Sequence, residues 1–327
     1  MIRIGLIINL MAGRDIRRLV AHASLTSATD KLLAARRILS GVTAVPGVGV
    51  LMVDDWEGIG RGLGEEHPEL VELVAHEKTP PGPGQRTTGW VRSLEHAGAR
   101  AILVVGGDGT QRNAAEADPK VPLLAVAGGT NNVACWLGEE TVAGYAAAWW
   151  AACRLPLAAT ATQAKLLHVH PQRESEHVAL IDVALVRQRV TGALAVWEAR
   201  DVVALVLAVA DPVRPGLSNL GGMMDPVSSM DDFGLVLTVE PGDESALAVA
   251  SVLAPGLMGF FQVKSSGRVQ FGESVAWAPE QGGTLALDGE RTIVLAPRER
   301  VQVTLRRDGP WFLDPERIFA VGLRRGS

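Results

Sequence analysis

The chain has 327 residues, enough for two domains at roughly 100–200 residues each. Apolar residues make up 47% and charged residues 20%, which supplies cores and excludes a disordered chain. A net charge of −5 leaves no basic surplus to neutralise backbone phosphates, which excludes a general nucleic-acid binder.

Residues 2–8 read as a buried strand. The strand runs into Asn9-Leu10-Met11-Ala12-Gly13-Arg14-Asp15 and a helix start at 16–20. A glycine-containing turn at a strand's carboxyl end, backed by Arg17 and Arg18, suits an anion; solvated helix residues are the plainer reading of the two arginines. Residues 30–40 have helical spacing and stop at Gly41, as at a C-cap. Residues 49–53 read as a strand, 69–75 as a helix turn or strand, and 78–89 as a Pro- and Gly-rich loop.

A helix over 91–97 leads into the apolar run 102–105, which stops at Gly106-Gly107-Asp108-Gly109-Thr110. Three glycines around one carboxylate let backbone pass close to a ligand, with N–H groups aimed at phosphate oxygens. A tight Gly-Asp-Gly turn is the alternative. A helix over 111–117 would place these N–H groups at its N-terminus. The next strand, 121–126, ends at Ala127-Gly128-Gly129-Thr130-Asn131-Asn132. Two adjacent parallel strands would bring both glycine loops to one edge of the sheet. A packing helix follows at 142–153.

Residues 1–140 are therefore expected to form an α/β domain with a Rossmann-like parallel sheet. Short runs separated by turn signals predict a mostly β, sandwich-like domain over 141–305, with helices near 201–210 and 244–253. The segment 306–327 is a candidate to return to the first domain. His168 and His170 alternate onto one strand face near His177; without a completing carboxylate or cysteine, a structural or solvated role is expected. Cys135 and Cys153 read as reduced core residues. The apolar stretches are too short, or too interrupted by Pro255, Gly256 and Gly259, to span a bilayer, so a soluble cytoplasmic protein is expected.

Gly-x-x-x-x-Gly-Lys-Ser/Thr, Gly-x-Gly-x-x-Gly and His-Glu-x-x-His are absent from the sequence. A Gly-Gly-Asp-Gly-Thr loop without the first of these resembles the superfamily of NAD kinases, diacylglycerol kinases and sphingosine kinases. Asn9 to Gly13 resembles its first loop, with Leu10 for proline. Ala179-Leu180-Ile181-Asp182-Val183 is similar to the Ala-Leu-Asn-Glu/Asp-Val strand of NAD kinases, and Gly216-Leu217-Ser218-Asn219-Leu220-Gly221-Gly222 to their Leu-Ser-Ala-Gly-Gly stretch. The Thr-Gly-Ser-Thr-Ala-Tyr segment before that stretch is not recognisable here. Leu287-Asp288-Gly289-Glu290 matches Asp-Gly-Glu/Gln. The run Gly13-Arg14-Asp15-Ile16-Arg17-Arg18 is most similar to the branch of predicted ATP-NAD kinases that includes the X protein of acetoin-catabolism clusters.

The resemblance implies phosphoryl transfer from ATP or polyphosphate, with Mg²⁺, to the 2′-hydroxyl of NAD. On that basis Gly106, Gly107, Gly109 and Thr110 cradle the phosphates, with Asn9, Gly13, Gly129, Thr130, Asn131 and Asn132 alongside. Arg17 and Arg18 neutralise terminal phosphates. Asp108 acts as general base or holds Mg²⁺. Asp182, Ser218 and Asn219 meet the acceptor. Asp288 and Glu290 are weaker candidates, because Asp-Gly is a common hairpin turn. Ile181 stands where the family carries an asparagine and cannot replace its hydrogen bonds. A kinase of another hydroxyl acceptor, lipid or metabolite, and a nucleotide sensor without turnover therefore stay open. Related kinases are commonly homo-oligomers.

Overall fold

The computed structural model describes residues 1–10, 12, 27–55, 57–76, 84–187, 198–289 and 291–325. The expectations for Gly13, Arg17, Arg18, the helix start at 16–20 and Glu290 fall outside these residues.

Apolar runs without alternation become strands buried on both faces. β1 (Ile2–Ile8), β2 (Val48–Val53), β3 (Val71–Val74), β4 (Ile102–Gly106) and β5 (Leu123–Ala127) pair in parallel in the order β3-β2-β1-β4-β5. On one face α1 (Ala28–Thr43) and α5 (Glu140–Cys153) cover Ile4, Leu6 and Val126. On the other, α3 (Gln85–His96) and α4 (Asp108–Ala115) cover Ile7, Ile102 and Val104. The short α2 (Ile59–Glu66) connects β2 to β3.

Gly41 does not cap α1, which continues to Thr43. A Cβ at Gly41 would stand 2.0 Å from Thr141 O, and one at Gly144 would stand 2.1 Å from Ile38 O. The two glycines let α1 and α5 touch backbone to backbone.

After the one-turn α6 (Leu157–Thr160), β6 (Ala161–Gln163) forms the outer edge of the first sheet. Between β5 and β6 lies β18 (Trp311–Leu313), parallel to β5 and antiparallel to β6. The helix after it, α8 (Pro315–Arg325), packs Phe319 on Trp149 of α5 with ring centroids 5.5 Å apart.

The second domain has two antiparallel sheets. β9 (Asp182–Val186), β10 (Val202–Leu207), β11 (Phe233–Val239), β12 (Leu247–Ala254), β13 (Leu257–Gln270), β15 (Gly283–Leu287) and β16 (Arg291–Leu295) pair in the order β12-β13-β11-β10-β9-β15-β16. β7 (Leu166–Pro171), β8 (His177–Ala179), β14 (Ser274–Trp277) and β17 (Val301–Arg306) make a four-stranded sheet. Val169, Val303 and Leu305 of the small sheet face Leu185, Val206 and Leu285 of the large one. The opposite face of the large sheet packs under α7 (Leu217–Met224) through Leu217 and Leu220.

Two expected helices are strands. Over 201–210, Val202–Leu207 is a central strand whose apolar side chains are nearly all buried, and such a run has no period to separate strand from helix. Over 244–253, the alanine-rich Leu247–Ala254 is the sheet edge, held there by long pairing with β13. Tertiary pairing overrides local propensity in both.

One buried pair ties the domains together. Arg112 of α4 donates to Leu287 O at 2.7 Å and stands 3.9 Å from Asp288 Oδ2, with both side chains almost wholly enclosed. Asp288 (φ 49°) and Gly289 (φ 68°) begin the turn between β15 and β16. The Asp288 carboxylate accepts N–H groups from Leu180, Ile181 and Asp182 at 2.8–3.2 Å. Burial pushes its pKa up, while Arg112 and the three N–H donors pull the other way. Removing one partner of such a pair strands the other charge. Arg112→Met should therefore lower the unfolding free energy by about 3–5 kcal/mol in denaturant titrations, and Asp288→Asn added to it should restore part of the loss.

Candidate functional site

β1, β4 and β5 end at one edge, and their loops interlock there. Asn9 Nδ2 donates to Thr110 Oγ1 at 2.7 Å, joining the first loop to the second. The Asp108 N–H donates to Asn131 O at 3.1 Å, joining the second to the third. Gly106 closes β4, and Gly107 precedes α4, whose buried first turn holds Asp108, Gly109 and Thr110. The glycines first serve contact between loops. A Cβ at Gly129 would lie 2.4 Å from Gly107 Cα, and one at Gly107 would lie 2.8 Å from Asn131 O.

Asp108 is buried. Its carboxylate accepts N–H from Val133 at 3.1 Å and from Ala134 at 2.9 Å, which fixes its orientation. Asn132 folds back on its own loop, accepting from the Gly128 and Gly129 N–H groups and donating to Gly129 O. Thr130 is half-buried on the same turn. Cys135 donates to Gly106 O at 3.3 Å, and burial, then Asp108, pushes the thiol pKa well up. Cys153, at the end of α5, is exposed rather than in the core.

Lys31 was not singled out by the sequence. It lies buried beneath the first loop, and Nζ donates to the carbonyls of Asn9, Leu10 and Ala12 at 2.9, 2.9 and 2.5 Å. Its signal was a lysine in register with Ala34, Ala35 and Ile38 on the apolar stripe of α1.

A cavity of about 530 Å³ lies beyond the Asp108 anchor. Val133 and Ala134 form one wall, and Ile181, Val227 and Phe312 make much of the rest apolar. Lys165, Asp211 and Ser228 are polar groups in its lining. Lys165 Nζ donates to Ser228 O and Phe233 O at 2.9 and 2.8 Å. Burial, and after it the Arg307 charge, lowers its pKa to about 8, against the pull of Asp231 and Asp232.

Asp182 is buried at the start of β9, beside Ile181. Ser218 and Asn219 turn into the second domain's own backbone. Ser218 Oγ accepts from Asp211 N–H and donates to Val209 O; Asn219 donates to Pro212 O and accepts from Val252 N–H. His168 is paired with Glu176 and Asp308, carboxylates that spacing alone did not point to. Among the described residues no group of three His, Cys, Asp or Glu side chains is arranged to hold a metal. No described helix is long and apolar enough to cross a membrane.

Asn131 Oδ1 and Arg214 Nε, both buried near the interlocked loops, have no hydrogen-bond partner among the described residues, and Arg214 Nε stands 3.6 Å from the Asp211 carboxylate. An open acceptor and an open cationic donor, with Asp108 close by, fit a phosphorylated ligand carrying a divalent cation. Mg²⁺ needs only one or two carboxylates when phosphates supply its other ligands.

Comparison with known proteins finds likeness along most of the chain. The family model described as ATP-NAD kinase N-terminal domain matches residues 19–147, and that described as Acetoin catabolism protein X C-terminal domain matches 165–308. The two matched segments follow one another along most of the chain, which is therefore similar to an ATP-NAD kinase N-terminal domain followed by an Acetoin catabolism protein X C-terminal domain. The chain is also 29% identical to Acetoin catabolism protein X of Cupriavidus necator over 313 residues, 92% of this chain and 87% of that protein. The crystal structure of yeast NADH kinase complexed with NADH superimposes with a TM-score of 0.53 at 12% identity, covering 99% of this chain and 86% of that one. That likeness is one of fold.

Two outcomes test this site. Gly129→Ala must force the loops apart, so it should cost about 1–3 kcal/mol of stability in thermal or denaturant unfolding. For Lys165 the sign follows from its lowered pKa: between about 8 and 10.5 the unfolded chain holds a proton that the folded chain has lost. Stability of the native protein relative to Lys165→Met should therefore rise with pH across that window, measured by urea titrations of both at each pH.

Proposed function

We propose that the protein is an NAD kinase-like phosphotransferase, moving the terminal phosphoryl group of ATP or polyphosphate onto the 2′-hydroxyl of NAD to give NADP. The observation that carries this reading is the convergence of Asn9, 106–110 and 128–132 beside a cavity of about 530 Å³. Small-molecule sites usually occupy about 300–1,000 Å³.

In this reading the acceptor oxygen forms a bond to the terminal phosphorus as the bond to the bridging oxygen breaks, and the hydroxyl proton passes to Asp108. The two backbone N–H groups on Asp108 hold it in place for that proton. Thr110 and the first turn of α4 orient the phosphates, with Asn131 on the facing loop and Arg17 and Arg18 neutralising charge. In the alternative role for Asp108, its carboxylate would hold Mg²⁺, which would supply charge neutralisation on the phosphates. Asp182 orients the acceptor. Ser218 and Asn219 support the wall behind it. The setting is cytoplasmic, and a homo-oligomer is the expected form.

A second reading rests on the cavity wall. Ile181, Val227 and Phe312 suit an acceptor with an apolar body better than a dinucleotide. Incubation of purified protein with ATP, Mg²⁺ and NAD separates the two. Formation of NADP, reduced about 10²–10⁴-fold by Asp108→Asn, is the expected result. ATP turnover only with other hydroxyl acceptors supports the second reading, and tight nucleotide binding without turnover would mean a sensor.

A further inference from the structure

The second domain reaches the interlocked loops through residues 211–216, between β10 and α7. Gly216 (φ 124°) packs so closely on the first domain that a Cβ there would stand 2.9 Å from Asn131 Nδ2. This short loop is tethered along its length. Asp211 N–H donates to Ser218 Oγ at 3.0 Å, Pro212 O accepts from Asn219 Nδ2 at 2.7 Å, and Gly216 N–H donates to Val252 O at 2.9 Å. The Asp211 carboxylate also accepts the Val213 N–H at 2.9 Å.

Arg214 rides on this fixed loop with its side chain three-quarters buried, 25% exposed. Nε is 3.6 Å from Asp211 Oδ2, beyond a hydrogen bond, and has no other partner among the described residues. A guanidinium largely removed from water, with a donor left open, is poised for an oxyanion. The loop's neighbours are the glycine turns of the first domain. Asn131, which Gly216 touches, accepts the Asp108 N–H through its carbonyl. The Cys135 thiol, bonded to Gly106 O, lies in the fields of both Asp108 and Arg214. Among the described residues, two other cations beside these loops are engaged elsewhere: Lys31 holds three carbonyls, and Arg112 holds Leu287 O beside Asp288.

We propose that Arg214 is the second domain's contribution to the phosphate site, binding terminal phosphoryl oxygens and neutralising their charge during transfer. This deepens the phosphotransferase reading and rests on it. Ser218 and Asn219 hold the Arg214 loop, so their substitution acts through its position. Asp211 competes with the phosphate for the guanidinium.

The test uses the full chain with inorganic tripolyphosphate and AMP as probes in calorimetric titrations at fixed ionic strength, alongside thermal unfolding and turnover. Arg214→Met should weaken tripolyphosphate at least tenfold, leave AMP within about twofold and leave the melting temperature nearly unchanged, a cost in the range of a charged hydrogen bond. Arg214→Lys should fall between, and Asp211→Asn should tighten tripolyphosphate. If the protein turns over an acceptor, kcat should drop about 10²–10³-fold in Arg214→Met with a smaller change in KM. A wild type that binds tripolyphosphate through Arg214 but never makes NADP would sink the NAD kinase reading and leave this site standing. Equal tripolyphosphate binding by wild type and Arg214→Met, parallel loss of AMP, or no tripolyphosphate binding at all would overturn the proposal. Should Arg214→Met fail to fold, unchanged binding in both Arg214→Lys and Asp211→Asn would do so.

Discussion

A guanidinium and a carboxylate, both cut off from water, set the register between the two domains. Arg112 follows the glycine loop on α4, and Asp288 stands in a hairpin of the second domain. Asp288 also gathers the N–H groups of 180–182, so the cavity wall at Leu180 and Ile181 is fixed to the same point as the helix that follows the glycine loop. An ion pair this deep contributes little net stability compared with apolar packing, since desolvation offsets much of its attraction. Its geometric effect is larger. It aligns Ile181, the cavity and the Asp108 helix as one body.

The glycine loops obey a related constraint. Close approach was the reason to expect glycine, but the nearest object is the other loop. Gly107 and Gly129 meet backbone to backbone, Asn132 closes one loop on itself, and Asp108 bridges onward to Val133 and Ala134. The carboxylate is thus held in one orientation by the protein's own N–H groups.

Much of the first domain was legible because its strands are β-branched runs punctuated by glycine; its helices were less so, since α2 was not expected and α3 begins at Gln85, inside the stretch read as a loop. The antiparallel half was harder. Val202–Leu207 and Leu247–Ala254 are strands only because long-range partners exist, and no local pattern encodes those partners. The cations were the least legible part. Lys31, Lys165 and Arg214 sit far apart in sequence, and each has its meaning from carbonyls or loops that folding brings to it. Asp288 is instructive in another way: the motif drew attention to it, yet its carboxylate faces three backbone amides and Arg112.

The position of β18 bears on how the chain is made. Its pairing of Phe312 with Leu123 inserts a late strand between β5 and β6, after the whole second domain has been traversed. The first sheet therefore cannot close while the ribosome is still threading out the antiparallel half. Until then β5 and β6 each present an unpaired edge, the kind of surface that invites strand exchange between nascent chains. Synthesis order thus makes a strand that follows the second domain the clasp of the first sheet, and favours folding in which both halves mature together.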